Sequence, residues 1–226
     1  EILRCLVGSE MCIRDSSICR QLQRVPPQYL SGACNSIGTI YVSQGKYDLA
    51  LQSFGEALDM RREPHDAAHP ELAMIYSNIG SAHLANGEPA QALEYLTRAY
   101  GIYRKLYGEE HPDTAETCNS IGGVYYTQGN CEKALEYYDR ALQTVRRLFG
   151  EEYPDTALGY NNVGVALQGM GKPDQALEYQ NKALEIVREL FGEVHPHAVR
   201  ILNNIGTVRI LTGLSLLHIS EPTRHL

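Results

Sequence analysis

The chain has 226 residues, 43% apolar and 21% charged, the composition of a folding chain rather than a disordered one. Its net charge of −7 argues against a nucleic-acid or anionic-membrane binder, whose footprint is a basic face. No apolar run reaches the roughly 18–20 residues of a membrane span, and the six cysteines are scattered, with neither metal-ligand spacing nor the short chain of a disulfide framework.

A 42-residue period organises the elements. Gly38, Gly80, Gly122, Gly164 and Gly206 keep that step, as do Gly45, Gly87, Gly129, Gly171 and Gly213. Ala50, Ala92, Ala134 and Ala176 keep it too, as do Ala57, Ala99, Ala141 and Ala183. In chain order, 17–27 reads as the remnant of a preceding helix B, because Ser17–Leu22 aligns with Gly101–Leu106 two periods later. Repeats then span 28–69, 70–111, 112–153 and 154–195, and a lone helix A spans 196–213.

Each repeat is expected to hold two helices. Helix A opens at Pro70, Pro112, Pro154 and Pro196, since the N–H that proline lacks has no helical partner at the first position. Glu71, Asp113 and Asp155 follow and complement the positive end of the helix dipole. Apolar residues continue at helical spacing, as in Leu72, Ile75, Tyr76 and Ile79. The second glycine of each unit closes helix A and turns the chain. Helix B carries supporting pairs four residues apart: Glu94–Arg98, Glu136–Arg140 and Glu178–Lys182. Gly108, Gly150 and Gly192 stop it, whereas Pro64 ends the first helix B early in the divergent loop 63–69. Gly38 and its copies, with the periodic alanines, let helices A and B approach closely. Stacking of units is needed to bury their apolar faces.

Candidate chemistry is sparse. Cys34 and Cys118 alternate with Tyr76 and Tyr160 at one periodic place and read as core. Cys131 starts a helix B. His69, His111 and His195 recur before proline, with Tyr153 in the fourth copy, which points to a structural role at a helix start. His195 and His197 have no carboxylate or thiol cluster to complete a metal site. Tyr95, Tyr137 and Tyr179, and Tyr107, Phe149 and Phe191, recur at packing positions of helix B. Phosphate-loop, nucleophile-elbow and His-Glu-x-x-His motifs do not occur. The expectation is therefore a non-enzyme without cofactor or metal.

The pattern resembles the tetratricopeptide repeat, which wants an aromatic, Leu-Gly, a Tyr three residues after the Gly, then Ala, an aromatic and a second Ala. The third unit supplies Cys118, Ile121-Gly122, Tyr125, Ala134, Tyr138 and Ala141. The second supplies Tyr76, Ile79-Gly80, Ala92, Leu96 and Ala99, with His83 in the Tyr place. The unit length, the loop at 108–115 and the pairs Asn161-Asn162 and Asn203-Asn204 look most like the kinesin light chain version.

The resemblance implies an all-α solenoid, a right-handed superhelix of antiparallel helix pairs. It also implies a cytoplasmic, non-catalytic adaptor whose concave groove takes a protein or extended peptide, with no nucleic-acid or membrane partner. The alternative is the ligand-sensing region of a larger multidomain regulatory NTPase. Carried over, the family's groove positions include Asn35, Asn78, Asn119, Asn161, Asn162, Asn203 and Asn204, an amide ladder suited to a peptide backbone of any sequence. Met74, Tyr126 and Leu158 add apolar contacts, and Glu116 and Arg200 add charge. No three consecutive units carry the Lys, Asn and Arg set that grips acidic chaperone tails.

The two ends do not follow the period. Residues 6–16 and 214–224 can be encoded by reverse complements with one single-base mismatch, at Leu217, and the run resembles a transposase adapter for sequencing libraries. Residues 1–16 and 214–226 are therefore expected to be adapter-derived and are excluded from functional reasoning. The repeat array is expected to extend past both cuts. The last helix A is expected to expose the face its own helix B would cover, inviting self-association or makeshift packing by the leucine-rich 214–219 run.

Overall fold

The computed structural model describes residues 27–61, 69–192 and 194–219. The expected end segment 1–16, the helix remnant at 17–26, most of loop 63–69 with Pro64, and residues 220–226 lie outside them. Among the described residues all regular structure is α-helical, and the chain divides into two compact units, Glu1–Gly108 and Glu109–Leu226.

The first unit holds α1 (Pro27–Ser43), α2 (Tyr47–Asp59), α3 (Pro70–Ala85) and α4 (Pro89–Tyr107). Sequential helices pack on one another, and α1 also meets α3. Cys34, Phe54, Ile75 and Ile79 fill the core, with Ala50, Ala57 and Ala82 where backbones come close. A Cβ added at Gly80 would lie 2.6 Å from Leu96 Cγ, and one at Gly38 would collide with the Phe54 ring. The periodic glycine is thus a packing requirement. α2 ends at Asp59, a 13-residue helix against 19 in α4. A proline at 64 has no N–H for the Met60 carbonyl and its ring clashes there, which agrees with a helix that stops at this point.

The second unit holds α5 (Pro112–Thr127), α6 (Cys131–Phe149), α7 (Pro154–Gly169), α8 (Pro173–Phe191) and α9 (Pro196–Ile219). Sequential helices pack again, and α7 also meets α9. Tyr138, Leu142, Val163, Val187, Ile201 and Ile205 belong to one continuous core. Burying each such side chain contributes about 1.5–3 kcal/mol relative to exposure. The glycine rule holds at Gly122 and Gly164, where an added Cβ would lie 2.7 Å from Tyr138 Cδ1 and 2.7 Å from Gln180 Cγ.

Two kinds of glycine end the helices. Gly45, Gly87, Gly129 and Gly171 have φ of +70 to +79° and close Schellman turns. At the first, Gly45 N–H donates to Val42 O at 2.9 Å and Lys46 N–H to Tyr41 O at 2.9 Å. Gly108, Gly150 and Gly192 end the B helices with φ of +82 to +90° and ψ near 180°, a region that only glycine occupies readily.

Gly213 departs from the expected turn, because α9 continues through it to Ile219. At the earlier sites the next residues lead within two positions into a second helix that packs back. After Gly213 come Leu214, Ser215, Leu216 and Leu217, a run without proline.

Candidate functional site

The start of helix A is built by its recurrent histidine. Nδ1 of His69 accepts from Glu71 N–H at 3.2 Å, His111 from Asp113 N–H at 3.3 Å, and His195 from His197 N–H at 3.3 Å. The ring thus satisfies one of the orphan donors of the first turn. Tyr153, the fourth copy, makes no such bond; its ring stacks on Phe149 with centroids 4.6 Å apart. His195 stacks likewise on Phe191, at 4.4 Å. Among the described residues no group of three or more His, Cys, Asp or Glu is placed to hold a metal ion.

The expected amide ladder exists, and its members bind one another. Asn78 Nδ2 donates to Asn35 Oδ1 at 2.9 Å, Asn162 Nδ2 to Asn119 Oδ1 at 2.8 Å, and Asn204 Nδ2 to Asn161 Oδ1 at 2.9 Å. Each bond joins successive A helices, and Asn35 and Asn161 are buried. These amides therefore clasp neighbouring helices within each unit. Asn203 remains exposed, and Arg200, also exposed, lies 3.3 Å from His197 Nδ1. Met74 and Tyr126 are exposed on α3 and α5.

Three of the expected positions converge. Glu116 and Asn119 of α5 and Leu158 of α7 line one pocket of about 340 Å³. Leu142, Val145 and Phe149 of α6 form its apolar side, and Asp155 and Gly159 of α7 complete it. Such a volume lies within the usual range of small-ligand pockets, about 300–1,000 Å³. Gly159 forms part of the pocket wall, where an added Cβ would lie 3.0 Å from Leu142 Cδ1.

Glu116 keeps solvent access at the pocket's edge. Even so, partial loss of water, then the charges of Asp113 and Asp155, hold its carboxyl above the ordinary carboxylate range. Neither Glu116 nor Asp155 makes a hydrogen bond or ion pair among the described residues. Three exposed acids of helix B differ: Glu94–Arg98, Glu136–Arg140 and Glu178–Lys182 pair at 2.6, 3.4 and 2.9 Å.

The periodic aromatics and thiols pack. Tyr125 stacks on Tyr137 at 5.5 Å, and in the previous repeat His83 takes the same role on Tyr95 at 5.5 Å, with Glu88 2.6 Å from its Nδ1. Cations cover these rings, Arg98 over Tyr95 and Lys182 over Tyr179 both at 5.7 Å. Cys34 and Cys118 are buried, and burial above all pushes the Cys118 thiol up to about 11, away from nucleophilic chemistry.

The tetratricopeptide-repeat family model matches residues 30–105, 71–146, 113–189 and 155–214. The chain belongs to the tetratricopeptide-repeat family. Among solved structures, this tetratricopeptide-repeat chain is similar to BtubC (BKLC) from P. vanneervenii, with 26% identity over 90% of this chain and 82% of that one, and a TM-score of 0.76. It shares its fold with kinesin light chain-assigned, nearly identical TPR-like repeats from Podosopora anserina, at 18% identity, 83% and 89% coverage and a TM-score of 0.70. It also shares it with a Rap protein complexed with Competence and Sporulation Factor, at 20% identity, 93% and 56% coverage and a TM-score of 0.73. Among curated proteins none matches the chain.

Several residues that shape these repeats carry no signal in a residue-by-residue reading. Gly159 is one, part of the pocket wall against Leu142. Gln180 is another: it occupies the place of Phe54, Leu96 and Tyr138, fully buried, with neither amide atom bonded among the described residues. A third group is the clamp on loop 150–153, where Tyr160 donates to Glu151 Oε2 at 2.8 Å and Arg146 pairs with Glu151. Burial, then the bond to Glu151, pushes the Tyr160 hydroxyl up to about 12.

Proposed function

We propose that this tetratricopeptide-repeat chain is a non-catalytic scaffold or adaptor that binds an extended peptide or protein segment along its A helices, in the manner of kinesin light chain-like repeats. The fold generally serves protein–protein interaction, and it is typically non-catalytic. The observation that carries the reading is the pocket at Glu116, Asn119 and Leu158, where groove positions of the family meet a preformed hollow. The acidic net charge supports a protein rather than a nucleic-acid or anionic-membrane partner. No described helix is long and apolar enough to cross a membrane. A cytoplasmic setting belongs to the same reading, as do the repeat boundaries expected from the period.

The amide clasps narrow the role of the ladder: most of its asparagines position helices, and Asn119, Asn162, Asn203 and Asn204 keep access to solvent. A Rap protein in complex with a factor shows that the fold can hold a ligand, which keeps the second reading, a sensing region of a larger regulatory NTPase, in play. Ile210 and Leu211, exposed on α9, support self-association as an additional property of this chain.

Selection of a random peptide display library on the full chain tests the binding reading. Enriched peptides that bind in solution, and that lose affinity when Leu158 is changed to Asp, are the expected result. Failure to enrich any peptide above background overturns it, as does reproducible substrate turnover. Sedimentation of the chain against Ile210→Glu checks self-association.

A further inference from the structure

We infer that the pocket between α5, α6 and α7 receives a basic side chain, arginine foremost, from an extended peptide partner. The inference rests on the peptide-binding reading and names the chemistry of its partner.

The pocket between these helices encloses about 340 Å³. A long side chain can enter this hollow; a folded element cannot. Leu142, Val145 and Leu158 offer an apolar wall for a methylene stem. Stems of arginine and lysine bury in this way while the charged head stays at the rim.

The rim is acidic and uncompensated. Glu116 and Asp155 both line the pocket, and the charges felt by Glu116 come from Asp113 and Asp155, all of one sign. By contrast, Arg147 pairs with Glu110 and Arg146 with Glu151 in the same unit. An arriving cation would supply what these carboxylates lack. Guanidinium suits the place better than ammonium because its planar fork bonds carboxylates in two directions. An acidic side chain would meet like charge and is excluded. Asn119 adds a polar hold. Its Oδ1 is taken by Asn162, but its Nδ2 donors have no partner among the described residues and suit a peptide carbonyl.

The test uses the peptides selected on the full chain. The expected result is one fixed position enriched in arginine, then lysine. Replacing that arginine by the neutral isostere citrulline should weaken binding about tenfold or more, measured by fluorescence polarisation. Gly159→Ile, which crowds the pocket wall against Leu142, should weaken binding comparably. An added Cβ there already lies 3.0 Å from Leu142 Cδ1, so the variant can disturb packing. The double variant Glu116→Gln with Asp155→Asn keeps the volume, removes the charge, and should erase the difference between arginine and citrulline. Selected peptides that bind without a basic residue, or that ignore the double variant, overturn this inference and leave the peptide-binding reading standing. Failure to select any peptide overturns both.

Discussion

α5 and α9 are the same helix of the repeat, one followed by its own helix B and one not followed by one among the described residues. At the large-residue place, Cys118 of α5 is 1% exposed and Leu202 of α9 is 40% exposed. At the glycine place, a Cβ on Gly122 would strike the Tyr138 ring, while one on Gly206 would meet nothing within 4 Å. At the second glycine, Gly129 turns the chain at φ +77°, whereas α9 runs straight through Gly213. The difference teaches that the small and apolar residues of helix A encode a partner helix, not helix A itself. Where the partner is lacking, the same residue types leave an open face.

The sharpest way to break the comparison is alanine at both glycines. Gly122→Ala is expected to destabilise the second unit by about 1–3 kcal/mol, the usual cost of overpacking, seen as a lower urea midpoint. Gln180 offers the next effect. Its unbonded amide is fully buried where Leu96 packs against Gly80, so Gln180→Leu should stabilise the α7–α8 pair by about 1–3 kcal/mol in the same assay. A loss of stability there would mean that the amide has a partner. Gly206→Ala should then raise stability by roughly 0.5–1 kcal/mol, opposite in sign to Gly122→Ala, because only helix propensity is at stake. Equal signs at the two glycines would refute the comparison.

The smallest effect concerns acid. After the opening proline, α5 carries Asp113 and α9 carries His197. Partial burial, then Arg200 and His195, holds the His197 imidazole below its ordinary value. The unfolded chain therefore binds the proton first. Stability from this group is fully present above the ordinary histidine value near 6.5 and is lost as pH falls toward the lower folded value. Amide exchange at the start of α9 should accelerate relative to α5 over that window, after correction for intrinsic rates. His197→Asn should remove the difference.

Much of the fold was legible because it is periodic. A glycine or alanine repeated every 42 residues marks a turn or a place for close approach, so the helix pairs, their turns and the histidine helix starts followed from spacing. The candidate site was legible in part. Glu116, Asn119 and Leu158 were placed at groove positions, and they line the pocket. The fate of the asparagines was not legible, because an amide's partner lies 43 residues away on a neighbouring helix.

Sequence alone determined the all-α repeat, the places where helices touch and the absence of the familiar catalytic motifs, since each depends on residue type at a fixed step. Tertiary structure alone decided which amides are spent on each other, that Gln180 is buried without a partner among the described residues, and that Glu116 and Asp155, unpaired among them, line a hollow. These are sums over side chains from two or three helices. Whether a carboxylate is neutralised or a gap is filled depends on every neighbour at once, and no single repeat unit contains that information.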